Sequence, residues 1–155
     1  MRRLLLRDPG HLLAFGFGSG LARQAPGTFG TLAAVPLYLL MRDLPLGAYL
    51  AVVAALFALG VWLCGRTARA LGVHDAPAIV WDEVVGYLLV MAAAPHSVWA
   101  VILGFVLFRL FDIAKPWPIR WVDRRVTGGF GIMLDDALAA VPAWLLLQIT
   151  AHLLA

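Results

Sequence analysis

The chain is poor in charge and almost without cysteine. Only 14% of its 155 residues are Asp, Glu, Lys or Arg, against roughly a quarter in an ordinary soluble domain. With 63% hydrophobic residues and a mean hydropathy of +0.89, too little polar surface remains for a water-soluble fold, and the composition points to a bilayer. One cysteine, Cys64, cannot close an internal disulfide, which excludes a stapled secreted scaffold. The aliphatic content excludes a disordered chain, and no collagen-like or other internal repeat is present. Lysine is nearly missing too: Lys115 stands alone among eleven arginines.

Several catalytic signatures are also missing. No GxxxxGK[ST] phosphate loop, no G-x-S-x-G elbow and no Asp-x-Asp pair occurs, and Cys64 in "WLCGRTAR" has its arginines at the wrong spacing for a cysteine-dependent phosphatase. An enzyme acting on phosphate from this chain would therefore use a metal-activated water as nucleophile. A net charge of +3 and a pI near 9.6 do not imply nucleic acid, because cations gathered near anionic headgroups give a membrane protein the same balance. No cleavable signal peptide is expected, since the apolar stretch after Arg2, Arg3 and Arg7 is broken by Asp8, Pro9 and four glycines.

Five apolar runs organise the chain as a single domain over residues 1–155. Leu46 to Cys64 and Ala137 to Ala155 each hold 19 residues, which reach about 28 Å as helices, close to the thickness of a hydrocarbon core. Ser97 to Phe111 is the third clear run, and Thr28 to Met41 and Val84 to Ala94 are shorter. Rich in Leu and Ala and without alternation, the runs predict helices rather than strands. The fold class is thus all-α, an integral membrane bundle with about four or five embedded helices.

If all five runs cross, residues 1–27, 65–83 and 112–136 share one side. With Arg109 counted there, that side holds eleven of the twelve cations and eight of the nine acids; only Arg42 and Asp43 lie opposite. The positive-inside rule makes the crowded side cytoplasmic. Asp and Glu contribute little to orientation, so a polar catalytic face is one reason for their placement and simple avoidance of lipid is another.

Five carboxylates fall at membrane boundaries: Asp82 and Glu83 in "PAIVWDEVVGYLLV", Asp112 in "FRLFDIAKPWPIRW", and Asp135 and Asp136 in "GGFGIMLDDALAAV". Capping of helix N-termini explains one acid per helix. Two adjacent pairs plus Asp112 call for cations, and hard oxygen donors without a His or Cys cluster suit Mg²⁺ or Mn²⁺. Lys115 follows Asp112 by three residues and Arg109 precedes it by three, so either is placed to balance the acids or to grip a phosphate oxygen; a snorkelling interfacial lysine is the plainer alternative. Gly128, Gly129 and Gly131 before the last run, and Arg23, Thr28 and Thr31 in "GFGSGLARQAPGTFGTL", are further candidates for anion contact through backbone, hydroxyl or guanidinium donors. A flexible turn and close helix packing explain the same small residues. His74 and Asp75 precede Asp82 in a loop, as a solvated pair or as supporting groups. Trp81, Trp99, Trp117, Trp121 and Trp144 read as interfacial anchors.

The ordered blocks "GFGSGLARQAPGTFGTL", "GVHDAPAIVWDEVVGYLL" and "FRLFDIAKPWPIRWVDRRVTGGFGIMLDDALAA" resemble bacterial phosphatidylglycerophosphatase A, over nearly the whole chain from about His11 to Ala140. The resemblance implies a Mg²⁺-dependent, multi-pass enzyme of the bacterial inner membrane, with its site on the cytoplasmic side. Such an enzyme removes the terminal phosphate of phosphatidylglycerophosphate to leave phosphatidylglycerol. It also implies that Asp82, Glu83, Asp112, Asp135 and Asp136 hold Mg²⁺ and orient water, with one of Asp135 and Asp136 as general base. Lys115, with Arg23 or Arg109, would bind phosphate oxygens, helped by Gly128, Gly129, Thr28 and Thr31. Membrane lipids are the expected partners and nucleic acid is not. Two other functions share the acidic interface. A metal-dependent phosphatidyltransferase would need a spaced Asp-Gly, Ala-Arg, Gly and Asp signature that is absent, and a cation transporter would carry its acids near mid-span rather than at boundaries.

Overall fold

A computed structural model describes residues 7–155; Arg2 and Arg3 lie outside the described residues. Seven α-helices follow one another: α1 (Pro9–Ala14), α2 (Pro26–Met41), α3 (Leu46–Leu71), α4 (Trp81–Val90), α5 (Val98–Ala114), α6 (Ile119–Arg125) and α7 (Gly128–Leu154), with a 3₁₀ segment at Gly16–Leu21 and no strand among the described residues. Local chemistry sets their ends. The Asp8 carboxylate accepts from Gly10 N (2.8 Å) and starts α1. Ser97 Oγ accepts from Ala100 N and starts α5, each meeting a donor that the first turn leaves without a partner. Gly72, at φ 69°, closes α3 in the left-handed conformation that a side chain resists.

Contacts at the two ends show that α2, α3, α4, α5 and α7 alternate in direction. At one end the imidazole of His96 bonds Arg42 O (3.0 Å), joining the loops after α2 and α4. At the other, Val80 N donates to Ala14 O (2.9 Å) and Gly128 N to His74 Nε2 (2.9 Å), joining the segments before α2, α4 and α7. We call the second the charged end, because Arg42 is the only described cation at the other. α7 packs against α3, α4, α5 and α6, and its apolar residues are spread around the helix rather than gathered on one face, as befits the central helix.

Among the described residues, two helices are long and apolar enough to cross a membrane, α3 with 26 residues and α7 with 27. The four or five embedded helices expected from the runs are present as helices, but α2 and α5 have 16 and 17 residues and α4 only 10. α4 stops inside the bundle, and two carbonyls around its end are matched by neutral side chains. Tyr49 Oη donates to Leu88 O (2.6 Å), and Trp144 Nε1 (2.9 Å) and Gln148 Nε2 (3.1 Å) both donate to Ala92 O. Such matching is what lets an interrupted helix survive away from water. The outer faces carry exposed Leu59, Ile102, Val106, Leu110, Leu145 and Ile149, an apolar surface suited to lipid.

α4 meets α5 and α7 closely only because Gly86 has no side chain. A Cβ there would lie 2.5 Å from the Phe108 ring and 3.4 Å from Asp136 Cβ. This contact sets the third turn of α7 beside the first turn of α4, where the acids lie.

Candidate active site

The five acids predicted from the sequence come from three helices that meet at the charged end. Asp82 and Glu83 are the second and third residues of α4, Asp112 is in the last turn of α5, and Asp135 and Asp136 are the eighth and ninth of α7. α7 begins nine residues before the apolar run, so Asp135 and Asp136 sit about 11–12 Å along its axis. They are therefore too deep to be caps, and neither Asp82 nor Glu83 caps α4, which has no side-chain cap bond. The capping alternative fails for Asp112, Asp135 and Asp136, while Asp82 and Glu83 keep the favourable position in the first turn of α4 without making a cap bond.

Cations divide the acids into two classes. Arg109 Nη1 pairs with Asp112 and lies 3.7 Å from Glu83 Oε1. Lys115 Nζ bonds Asp135 Oδ2 (2.6 Å) and Asp123 Oδ1 (3.0 Å), while Asp135 Oδ1 accepts from Asp136 N (3.0 Å). Burial alone would lower the Lys115 pKa, but Asp135 and then Asp123 outweigh it and hold the ammonium above its ordinary value. Three carboxylate oxygens are buried without any partner: Asp82 Oδ1, Glu83 Oε2 and Asp136 Oδ2. Donor atoms of the same three residues lie within 4.8 Å of one another.

A buried carboxylate oxygen without a partner is costly, and three together are tolerated only where something positive joins them. A hard divalent cation such as Mg²⁺ or Mn²⁺ fits this all-oxygen set; zinc, which prefers His and Cys, does not. The five predicted acids and Asp123 face only two cations, Arg109 and Lys115, so the acids outnumber the cations at this site.

Known proteins decide the family. The family model described as phosphatidylglycerophosphatase A matches residues 12–151. The phosphatidylglycerophosphatase A of Escherichia coli (strain K12) is 50% identical over 151 residues, covering 97% of this chain and 88% of that protein. The protein of the same name from Haemophilus influenzae (strain ATCC 51907 / DSM 11121 / KW20 / Rd) is 50% identical over 145 residues, covering 92% and 89%. The chain belongs to the phosphatidylglycerophosphatase A family. No solved structure matches it.

Within this chain, the residues expected to touch phosphate part company. Arg109 is drawn into the acid cluster, and the first turn of α2 abuts it, with Gly27 against Glu83 and Arg109. Thr28, half-buried in that turn, is near the cluster, whereas Thr31 is fully buried and spends its hydroxyl on Gly27 O (2.9 Å). Arg23 is exposed and lines a separate cavity of about 540 Å³ with Phe15, Pro26 and Val73. The Gly128 N–H is taken by His74. Gly129 serves helix packing, since a Cβ there would lie 2.7 Å from Gly65 N on α3. Neither glycine presents an anion cradle.

Two features escaped the sequence. Asp123, the second partner of Lys115, lies eight residues on, across a Pro116–Pro118 turn, and no helical spacing relates the two. Trp81, expected as an interfacial anchor, is instead 3% exposed, its Nε1 bonded to Leu56 O (3.1 Å). Its position next to Asp82 at the start of α4 was the available signal, because the first turn of a helix wedged into a bundle has no water to face.

Proposed function

We propose that this chain hydrolyses the terminal phosphomonoester of phosphatidylglycerophosphate, using Mg²⁺ held by Asp82, Glu83 and Asp136, at a site that faces the cytoplasm. The observation that carries the reading is the trio of buried, partnerless carboxylate oxygens inside a bundle whose family is named for this substrate. Bound there, the ion would supply positive charge to the phosphoryl oxygens and acidify a water.

The chain's own groups do the rest. Asp135 has both oxygens engaged, one by Lys115 and one by the Asp136 N–H. Asp136 Oδ2 is unpartnered and would hold the ion, so of that pair Asp135, whose oxygens each keep a second lone pair, is the one to accept the water's proton. Water oxygen then bonds to phosphorus, the bond to the glycerol oxygen breaks, and that oxygen takes up a proton as phosphatidylglycerol leaves. Lys115, on the edge of the cluster, fixes Asp135 and adds positive charge beside the phosphate. Arg109 holds Asp112 and Glu83 in place. The cytoplasmic orientation is supported by the cations: among the described residues, all but Arg42 lie at the end that carries the acids.

Release of inorganic phosphate from phosphatidylglycerophosphate in detergent tests the reading. Activity is expected with Mg²⁺ and not with a chelator, and Asp82→Asn or Asp136→Asn is expected to lower turnover about 100-fold or more while the helical signal persists. Unchanged turnover in both variants would remove the site from the reaction.

A further inference from the structure

The cations nearest the acid cluster are already committed. Arg109 belongs to Asp112 and Glu83, Lys115 to Asp135 and Asp123, and at the rim of the same end Arg66 belongs to Asp8. A lipid with a phosphomonoester and a phosphodiester brings about −1.5 to −2 from the first and a further negative charge from the second. A site built mostly from acids needs uncommitted positive charge close by to receive it.

That charge stands immediately beyond Lys115. A cavity of about 450 Å³ is lined by Lys115, Trp117, Arg120, Trp121, Arg124 and Arg125, with Pro116 between the first two. None of its three arginines has a carboxylate partner among the described residues. Arg120 donates to Ala114 O (3.2 Å), and Arg125 stacks over the Trp121 ring at 5.1 Å. Trp117 is 82% exposed and Trp121 50%, the disposition of rings at a membrane interface. Lys115 is the shared wall: its Nζ touches Asp135 on one side, and the cavity opens on the other.

We propose that this cavity is the subsite for the internal phosphodiester of the substrate, gripped by Arg120, Arg124 and Arg125, so that the three-carbon glycerol bridge carries the terminal phosphate past Lys115 to the acid cluster. The assignment rests on the proposed reaction and adds its selectivity. Guanidinium forks suit a phosphodiester oxygen pair, and the two tryptophans keep the glycerol backbone at the interface. A lipid with a diester but no monoester, phosphatidylglycerol itself, occupies the same subsite as a competing product.

Binding of phosphatidylglycerol and hydrolysis of phosphatidylglycerophosphate, both in neutral dodecyl maltoside micelles, test the proposal for the wild type and for Arg120→Gln/Arg124→Gln/Arg125→Gln. The triple variant should raise the phosphatidylglycerol Kd and the KM for phosphatidylglycerophosphate together by about tenfold or more, with kcat within about twofold. Equal Kd and KM in the two proteins would overturn the proposal. So would a defect seen only in vesicles containing anionic lipid, which would make the patch a membrane-surface contact. Should the triple variant lose its helical signal, Arg124→Gln carries the test with about a threefold rise expected, and no rise overturns the assignment. A wild type that binds phosphatidylglycerol but releases no phosphate would sink the proposed reaction and leave this subsite standing.

Discussion

The two ends of the bundle treat buried polarity in opposite ways. Where α4 stops, two carbonyls meet neutral side-chain donors, Tyr49 at Leu88 O and Trp144 and Gln148 at Ala92 O, and Tyr87 nearby donates to Val101 O of α5 (3.0 Å). At the charged end three carboxylate oxygens and Arg109 Nε are buried with no partner. Matched neutral groups hold a fold together at little cost. Unmatched charges strain it, and they persist where a ligand completes them. The far end is built for stability, and the charged end gives up stability in the way the proposed chemistry needs.

The widest separation of the two should come from Asp136→Asn. Removing one unpaired buried charge should leave the Tm in chelator at or above the wild-type value while phosphate release falls about 100-fold or more. Mg²⁺ should raise the wild-type Tm, by about 2.7 kcal/mol of stabilisation at a hundred times its Kd, and the variant should lose that rise. A large drop in Tm in chelator would show that Asp136 belongs with the stabilising groups and break the contrast.

Tyr49→Phe is the converse. It strands Leu88 O, a carbonyl with no backbone partner past the end of α4, and should cost about 1–3 kcal/mol of stability with turnover preserved. Gln148→Leu sharpens the point, because Ala92 O keeps the Trp144 indole; about 0.5–1.5 kcal/mol is expected. Thermal unfolding in detergent ranks the pair, and an inverted order would mean that packing rather than hydrogen bonding sets stability at this end.

These two ends differed in how far the sequence revealed them. The five apolar runs predict the five long or buried helices because lipid and core alike select unbroken aliphatic stretches. The end of α4 at Val90 is invisible in "VVGYLLVMAAAP", since apolar residues continue through the turn and the donors that make the stop possible lie far away at Tyr49, Trp144 and Gln148. The five acids were legible individually, because charges next to hydrocarbon are rare enough to notice. Their division into cation-paired and unpaired members was not, because it depends on where Arg109 and Lys115 reach. Likewise "GGFGIMLDD" reads as a turn before a helix, yet the helix starts at its first glycine and the acids face other helices rather than water.

The smallest expected effect lies at the rim of the charged end, where a charge does have its partner. Asp8 accepts from Arg66 at 2.9 and 2.6 Å and from Gly10 N at the start of α1. The Arg66 guanidinium, with the two backbone donors, holds its carboxyl below the usual carboxylate range despite some opposing desolvation. A depressed folded-state pKa adds stability in full above the unfolded value of about 3.9 and loses it as pH falls below that toward the folded value. Asp8→Asn retains an oxygen for the cap and loses the ion pair. The wild type should therefore exceed the variant in Tm by the same small margin at pH 7 and pH 5, and the margin should shrink at pH 3. High salt should narrow it as well, because the pair is partly exposed. A margin independent of both pH and salt would show that the Arg66 pair contributes no electrostatic stability, leaving the rim of the charged end without an ion pair that serves stability alone.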